Sequence, residues 1–176
     1  MERIYQLALV IHIFSAIVLV GSMFFNVAIL TPALNRIPPA QSAAVADKVG
    51  AGLRIAGPAS LVLLGLTGFL RLSDLGIMGD LFTLGFLTDN WKLAVPLWLM
   101  FLSWFVLVIT GTLSAIWYEK VLAKKLPYSA GLRDLEVRRA AQERISAYQE
   151  RLNLVNTTLG ALAALGGALF ASGLLN

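Results

Sequence analysis

Four stretches of this 176-residue chain are each long and apolar enough to cross a bilayer, and nothing else constrains its fold as much. A hydrocarbon core of ~30 Å needs about 20 helical residues. In lipid the backbone must satisfy its own hydrogen bonds, so such spans are helices. The apolar runs place them at residues 4–30, 55–72, 91–118 and 154–175. The expected fold is therefore all-α, an integral membrane four-helix bundle forming a single transmembrane domain over residues 1–176. With 58% hydrophobic and 14% charged residues, nothing suggests a second, water-soluble domain.

The charges set the expected orientation. Of 14 Lys and Arg, three lie between the first two runs (Arg36, Lys48, Arg54). Eight lie between the last two (Lys120, Lys124, Lys125, Arg133, Arg138, Arg139, Arg144, Arg151). This is the positive-inside pattern, so the net charge of +4 calls for no nucleic-acid partner. Both basic loops are expected in the cytoplasm, with both termini and the 72–90 loop outside. A bacterial inner (plasma) membrane is the expected location. No cleavable signal peptide is read, because the first apolar run is too long for one. The chain has no cysteine, which excludes disulfides and thiolate metal sites.

The connections carry further expectations. Pro38-Pro39 breaks the first cytoplasmic connection, and residues 41–51 read as a short interfacial helix. Pro127-Tyr128-Ser129 marks a turn. After it, Leu132, Leu135, Ile145, Tyr148, Leu152 and Val155 recur at helical spacing. They predict an amphipathic cytoplasmic helix lying on, or running into, the fourth span beside lipid headgroups. The outer loop, with Asp74, Asp80 and Asp89, is expected over the bundle mouth. The second and fourth spans are rich in Gly and Ala, and we expect them to pack centrally.

His12, the only histidine, lies inside the first span. An ionisable side chain at membrane depth is costly and usually meets a partner, a cofactor or a pathway. Imidazole is also a common ligand for haem iron and transition metals. At 3.6 residues per turn, Ser15, Ala16, Leu19, Met23 and Asn26 share its face. That stripe should turn inward, with His12 roughly 12 Å from the outer end at 1.5 Å per residue.

Lys92, at the head of the third span, falls in the same half of the bundle. It either snorkels to the interface beside Trp91 and Asp89, or faces the His12 cavity as a charge, proton donor or amine ligand. Met23 is too far along the helix, about 16 Å, to share a metal with His12. Trp98, Phe101, Trp104 and Phe105 make the third span aromatic, a surface for packing or for a planar macrocycle.

Phosphate-binding glycine loops, HExxH and a Ser-His-Asp set are absent. The spans as placed hold no acid, which argues against a proton-pumping relay. One histidine excludes bis-histidine haem ligation within one chain. It leaves a five-coordinate haem, a mixed-ligand haem or a site shared across a homodimer.

The order His12, Gly21, Phe25, then Pro32-Ala33-Leu34, resembles the opening helix of the copper-resistance D (CopD) superfamily. Lys92 at the head of the third span also resembles that superfamily and the related HemJ family. HemJ proteins are linked to oxidation of protoporphyrinogen IX, with a first-helix His and a later Lys as the functional pair. The resemblance covers the first and third spans. The chain departs from HemJ at Leu19, Ala28 and Ala33, roughly where a Trp, an Arg and a second His would fall. It departs from the longer CopD proteins in its shortage of soft copper ligands. It is most similar to the small four-helix branch of the superfamily.

The resemblance implies a redox protein, and three readings stay open. The first is a haem b protein with His12 as axial and metal ligand and Lys92 as cofactor-binding or catalytic partner. Its chemistry would be porphyrinogen oxidation, electron transfer with a membrane carrier, or small-gas chemistry, making it, if an enzyme, a membrane oxidoreductase. The second is a copper-handling membrane protein using His12 with backbone or Met atoms of another helix. The third is a non-catalytic accessory protein in which His12 and Lys92 are satisfied polar groups.

Overall fold

The computed structural model describes residues 2–117 and 132–172. Helix α1 (Glu2–Phe25) passes through a π-helical turn, Asn26–Leu30, into the short α2 (Thr31–Leu34). Then come α3 (Pro39–Asp74), a 3-10 turn at Asp80–Phe82, α4 (Leu84–Asp89), α5 (Trp91–Trp117) and α6 (Leu132–Ser172). Four helical stretches are long and apolar enough to cross a membrane: Arg3–Leu34, Ala44–Asp74, Trp91–Ile116 and Glu150–Ser172. The all-α, four-span expectation is met, with each span within a few residues of its predicted place or longer.

Two connections differ from expectation. No separate interfacial helix forms over 41–51, because α3 starts at Pro39 and runs unbroken through Pro58 to Asp74. Proline suits the first turn of a helix, where its missing N–H would have no partner, so Pro38-Pro39 opens this helix as well as ending the connection before it. At the other end, α6 is one continuous helix, so the predicted amphipathic segment runs directly into the fourth span. The Pro127-Tyr128-Ser129 turn lies outside the described residues, as do the side chains of Leu132, Leu135 and Ile145.

The helices alternate in direction. Thr110 meets Asn156 while Pro96 meets Gly166, and Gly65 meets Trp104 while Leu61 meets Gly111. His12 meets Thr67 while Asn26 shares a cavity with Gly57, and Val20 approaches Gly160 while Asn26 shares that cavity with Asn153. Each neighbouring pair is therefore antiparallel. The pairs α1–α3 and α5–α6 pack most extensively. The α1–α6 contact is smaller and the α3–α5 contact is the thinnest. The two small-residue helices, α3 and α6, therefore stand diagonally across the bundle.

That corrects the expectation that they form its centre. In an apolar 18-residue window of each of those spans only 11% of the residues are buried, against 28% in the corresponding window of α5. Their glycines serve contact instead. A Cβ at Gly65 would lie 2.6 Å from Trp104 Cζ2, and one at Gly166 would lie 2.9 Å from the Pro96 carbonyl oxygen. Each glycine admits a group of α5 that any side chain would exclude.

The inward stripe of α1 is as predicted. Ser15 and Leu19 are buried, while Leu7, Val10 and Phe14 on the opposite face are exposed. In a bilayer those exposed residues would face lipid.

The 75–90 segment closes one end of the bundle. Gly76, at φ +70°, ends α3 in a Schellman motif, with Ile77 N–H donating to Leu72 O and Gly76 N–H to Ser73 O. The chain then turns back over the helices. Leu81 and Phe86 are buried against Ala94 and Leu97, with Phe170 packed beside them. Phe82 makes edge contacts with Trp98 and Phe101, at centroid distances of 6.5 and 5.7 Å. The loop thus covers the mouth through an apolar plug, while its acids stay at the surface.

Candidate functional site

Beneath that plug lies a cavity of about 520 Å³, lined among others by His12, Gly65, Gly68, Arg71, Met100 and Trp104. Its size falls within the ~300–1,000 Å³ typical of small-molecule and cofactor sites. The wall is largely aliphatic and aromatic, with His12 and Arg71 as its ionisable groups.

The protonation of His12 is set by α3. Its Nδ1 lies 2.9 Å from Thr67 Oγ1. The Thr67 hydroxyl has one proton, and the Leu63 carbonyl, 2.6 Å away, receives it. Thr67 can then only accept, so His12 Nδ1–H donates. This assigns the tautomer and leaves the Nε2 lone pair available on a ring that lines the cavity. Locking one ring nitrogen so that the other can ligate is the usual arrangement at histidine metal sites.

Space for the ring comes from Gly68. A Cβ there would meet His12 Cε1 at 3.5 Å, so the imidazole rests against the α3 backbone. Trp104 forms another part of the wall. It seats its indole over Gly65 and donates from Nε1 to the Leu61 carbonyl at 2.9 Å. That bond crosses the thin α3–α5 seam.

Arg71 stands one turn beyond Thr67 and lines the same cavity, 3.4 Å from Asp74. Met100 reaches the cavity from α5. Neither Arg71, Thr67 nor Met100 was singled out from sequence. The available signal was the run Leu64, Thr67, Gly68, Arg71, whose i, i+3, i+4, i+7 spacing puts small and polar residues on one face.

Lys92 is placed differently. It is exposed at the head of α5 and is not among the cavity-lining residues, so the structure does not bring it together with His12. Met23 lines a separate cavity, in keeping with its distance along α1. Among the described residues there is no cluster of three or more His, Cys, Asp or Glu side chains able to hold a metal. A metal at this site would need His12 with a soft ligand such as Met100, or a prosthetic group supplying the remaining ligands.

Fold and site together define an all-α protein with four candidate membrane-spanning helices around a cavity with one histidine. Compared with known proteins, the chain matches no family model, no curated protein and no solved structure.

Proposed function

We propose that the protein is a membrane haem b protein with a redox role. The observation that carries this reading is a lone imidazole, its Nδ1 proton held by Thr67, opening into a largely apolar cavity of about 520 Å³. A single metal ion would leave most of that volume unfilled, whereas a planar macrocycle would use it. The lining spans Leu9 to Gly21 along α1, roughly 18 Å at 1.5 Å per residue.

The residues present suit such a group. His12 Nε2 would ligate the iron, Arg71 would pair with an acid group, and Phe101 and Trp104 would lie against the ring. Haem supplies one-electron chemistry when bound. The protein's part is to fix the ligand's tautomer, exclude water with the Leu81 plug and offer one compensating cation. The likeness of His12, Gly21, Phe25 and Lys92 to the CopD and HemJ pattern supports redox chemistry, either porphyrinogen oxidation or electron transfer with a membrane carrier. A role for Lys92 would be as a surface charge at the cavity's end of the bundle.

A second reading is favoured by Met100. A copper ion held by His12 and Met100 would combine imidazole with a thioether from another helix.

Absorption spectra of the detergent-purified protein, oxidised and dithionite-reduced, test both readings. A Soret band lost in His12→Ala and retained in Met23→Ala is the expected result. A colourless protein that carries copper, lost in Met100→Leu, would replace the haem reading with the second. A protein holding neither would leave the accessory role.

A further inference from the structure

A second cavity lies on the other side of Leu19. It measures about 150 Å³, and its walls include Ser22, Met23, Asn26, Asn153, Asn156 and Thr157. A water takes about 30 Å³ in the liquid, so the chamber has room for several. It sits at the end of the bundle that carries the basic loops. Asn153 to Thr157 lie about 5–10 Å inside the Glu150 end of the fourth span.

Its side chains ask for water. The amides of Asn26 and Asn153 have no hydrogen-bond partner among the described residues. Asn156 Oδ1 accepts from Thr110 Oγ1 at 2.8 Å, which leaves its NH2 for the chamber. Unpaired amides at this depth are costly unless hydrated. Asn26 also opens the π-helical turn, a distortion that often marks functional positions.

Leu19 lines both cavities and is only 3% exposed. Beside it α1 and α6 approach closely, with Met23 Sδ 3.3 Å from where a Gly160 Cβ would be. One apolar side chain thus stands where the two spaces meet. Such a constriction gates water by dewetting.

We propose that the polar chamber is a hydrated half-channel from the basic end of the bundle, carrying water and protons toward His12, with Leu19 as its barrier. No carboxylate lines the chamber among the described residues, which disfavours a metal cation as its occupant. Neutral amides and hydroxyls organise water without storing a proton, so the chamber is an access route and not a pump. The inference stands on the cavity geometry and does not depend on haem.

The test exploits a chain without cysteine. Single cysteines are placed at Asn156→Cys in the chamber, Val155→Cys on the exposed face at the same depth, and Ala163→Cys in the His12 cavity. A membrane-impermeant sulfonated thiol reagent is applied from the basic end to the full chain in vesicles. Because the hydrated thiolate is the nucleophile, N156C should react about tenfold or more faster than V155C, with A163C protected. Adding Leu19→Ala should make A163C reactive. Leu19→Val serves if L19A does not fold, as judged by circular dichroism. Equal slow rates for N156C and V155C would overturn the hydrated chamber. A reactive A163C beside intact Leu19, or a protected one in both folded Leu19 variants, would overturn Leu19 as the barrier.

Discussion

His12 Nδ1 lies 2.9 Å from Thr67 Oγ1, and that hydroxyl is already the donor to the Leu63 carbonyl. The imidazole is therefore oriented by a residue 55 positions away, through a chain of hydrogen bonds ending on backbone. Thr67→Val keeps the shape and removes the acceptor, whereas Thr67→Ser keeps the hydroxyl. On the haem reading, T67V should weaken haem affinity about 10–100-fold, the usual loss when an outer-shell partner of a ligating histidine is removed. T67S should stay close to the parent. Titration of the apoprotein with haem, followed at the Soret band, measures both. Identical affinities for the Val and Ser variants would show that Thr67 does not prepare the ligand.

The half of this arrangement that lies on α1 was legible in the sequence. Polar residues recurring at helical spacing inside an apolar span must turn inward, and His12, Ser15, Leu19, Met23 and Asn26 do so. The other half depends on rotational register. Which residues of α3 and α5 face His12 is decided by how two distant helices dock, and no local period encodes that. The spacing of Thr67, Gly68 and Arg71 marks one face of α3. That this face meets His12, and that Met100 reaches the same cavity, emerges only from the packed bundle, and the exposed position of Lys92 follows from the same docking. The glycines misled for a related reason. Their abundance signals close approach, but here they receive single side chains or a carbonyl from neighbouring helices and do not make α3 and α6 the centre.

Those glycines should differ in tolerance according to what each one faces. Gly166→Ala brings a Cβ against the Pro96 carbonyl, which is backbone, so α5 and α6 must separate. Gly65→Ala brings one against the Trp104 ring, which is held by its bond to Leu61. Each should cost about 1–3 kcal/mol, the typical penalty of overpacking. At Gly68 the nearest atom would be 3.5 Å away, an ordinary contact, so Gly68→Ala should be close to neutral. Thermal unfolding of the three variants in one detergent checks the order. A Gly68→Ala variant as destabilised as Gly166→Ala would contradict the packing described.

Arg71 and Lys92 should separate in their effects on the cofactor. Arg71 lines the cavity, whereas Lys92 is exposed outside it. If Arg71 meets an acid group of haem, Arg71→Leu removes a charge-assisted hydrogen bond worth about 1.5–3 kcal/mol, or roughly 10–150-fold in affinity. The remaining complex should keep the positions of its Soret and visible bands, because His12 still ligates. Lys92→Ala should leave affinity and spectrum unchanged. A shifted spectrum for K92A would place Lys92 at the iron in the loaded protein and require α5 to rotate or slide on loading.

The plug makes the last prediction, because it links stability to cofactor retention. Leu81 is 1% exposed, held among Phe86, Ala94 and Leu97, and it also lines the His12 cavity. Truncating a buried leucine costs about 2–5 kcal/mol, depending on how far the surroundings collapse into the space. One side of Leu81 already borders a void, so it loses fewer packing contacts than a leucine enclosed on every side. Leu81→Ala should therefore fall near the lower end, about 2 kcal/mol. The same change opens the end of the cavity beside Arg71, so a bound haem should leave faster. Transfer of haem to an excess acceptor protein gives that rate, and thermal unfolding gives the stability. A destabilised L81A with an unchanged transfer rate would mean that haem leaves through another opening. The thin α3–α5 seam beside Trp104 would then be the exit to examine, with Trp104→Phe, which lacks the bond to Leu61, as the variant expected to speed release.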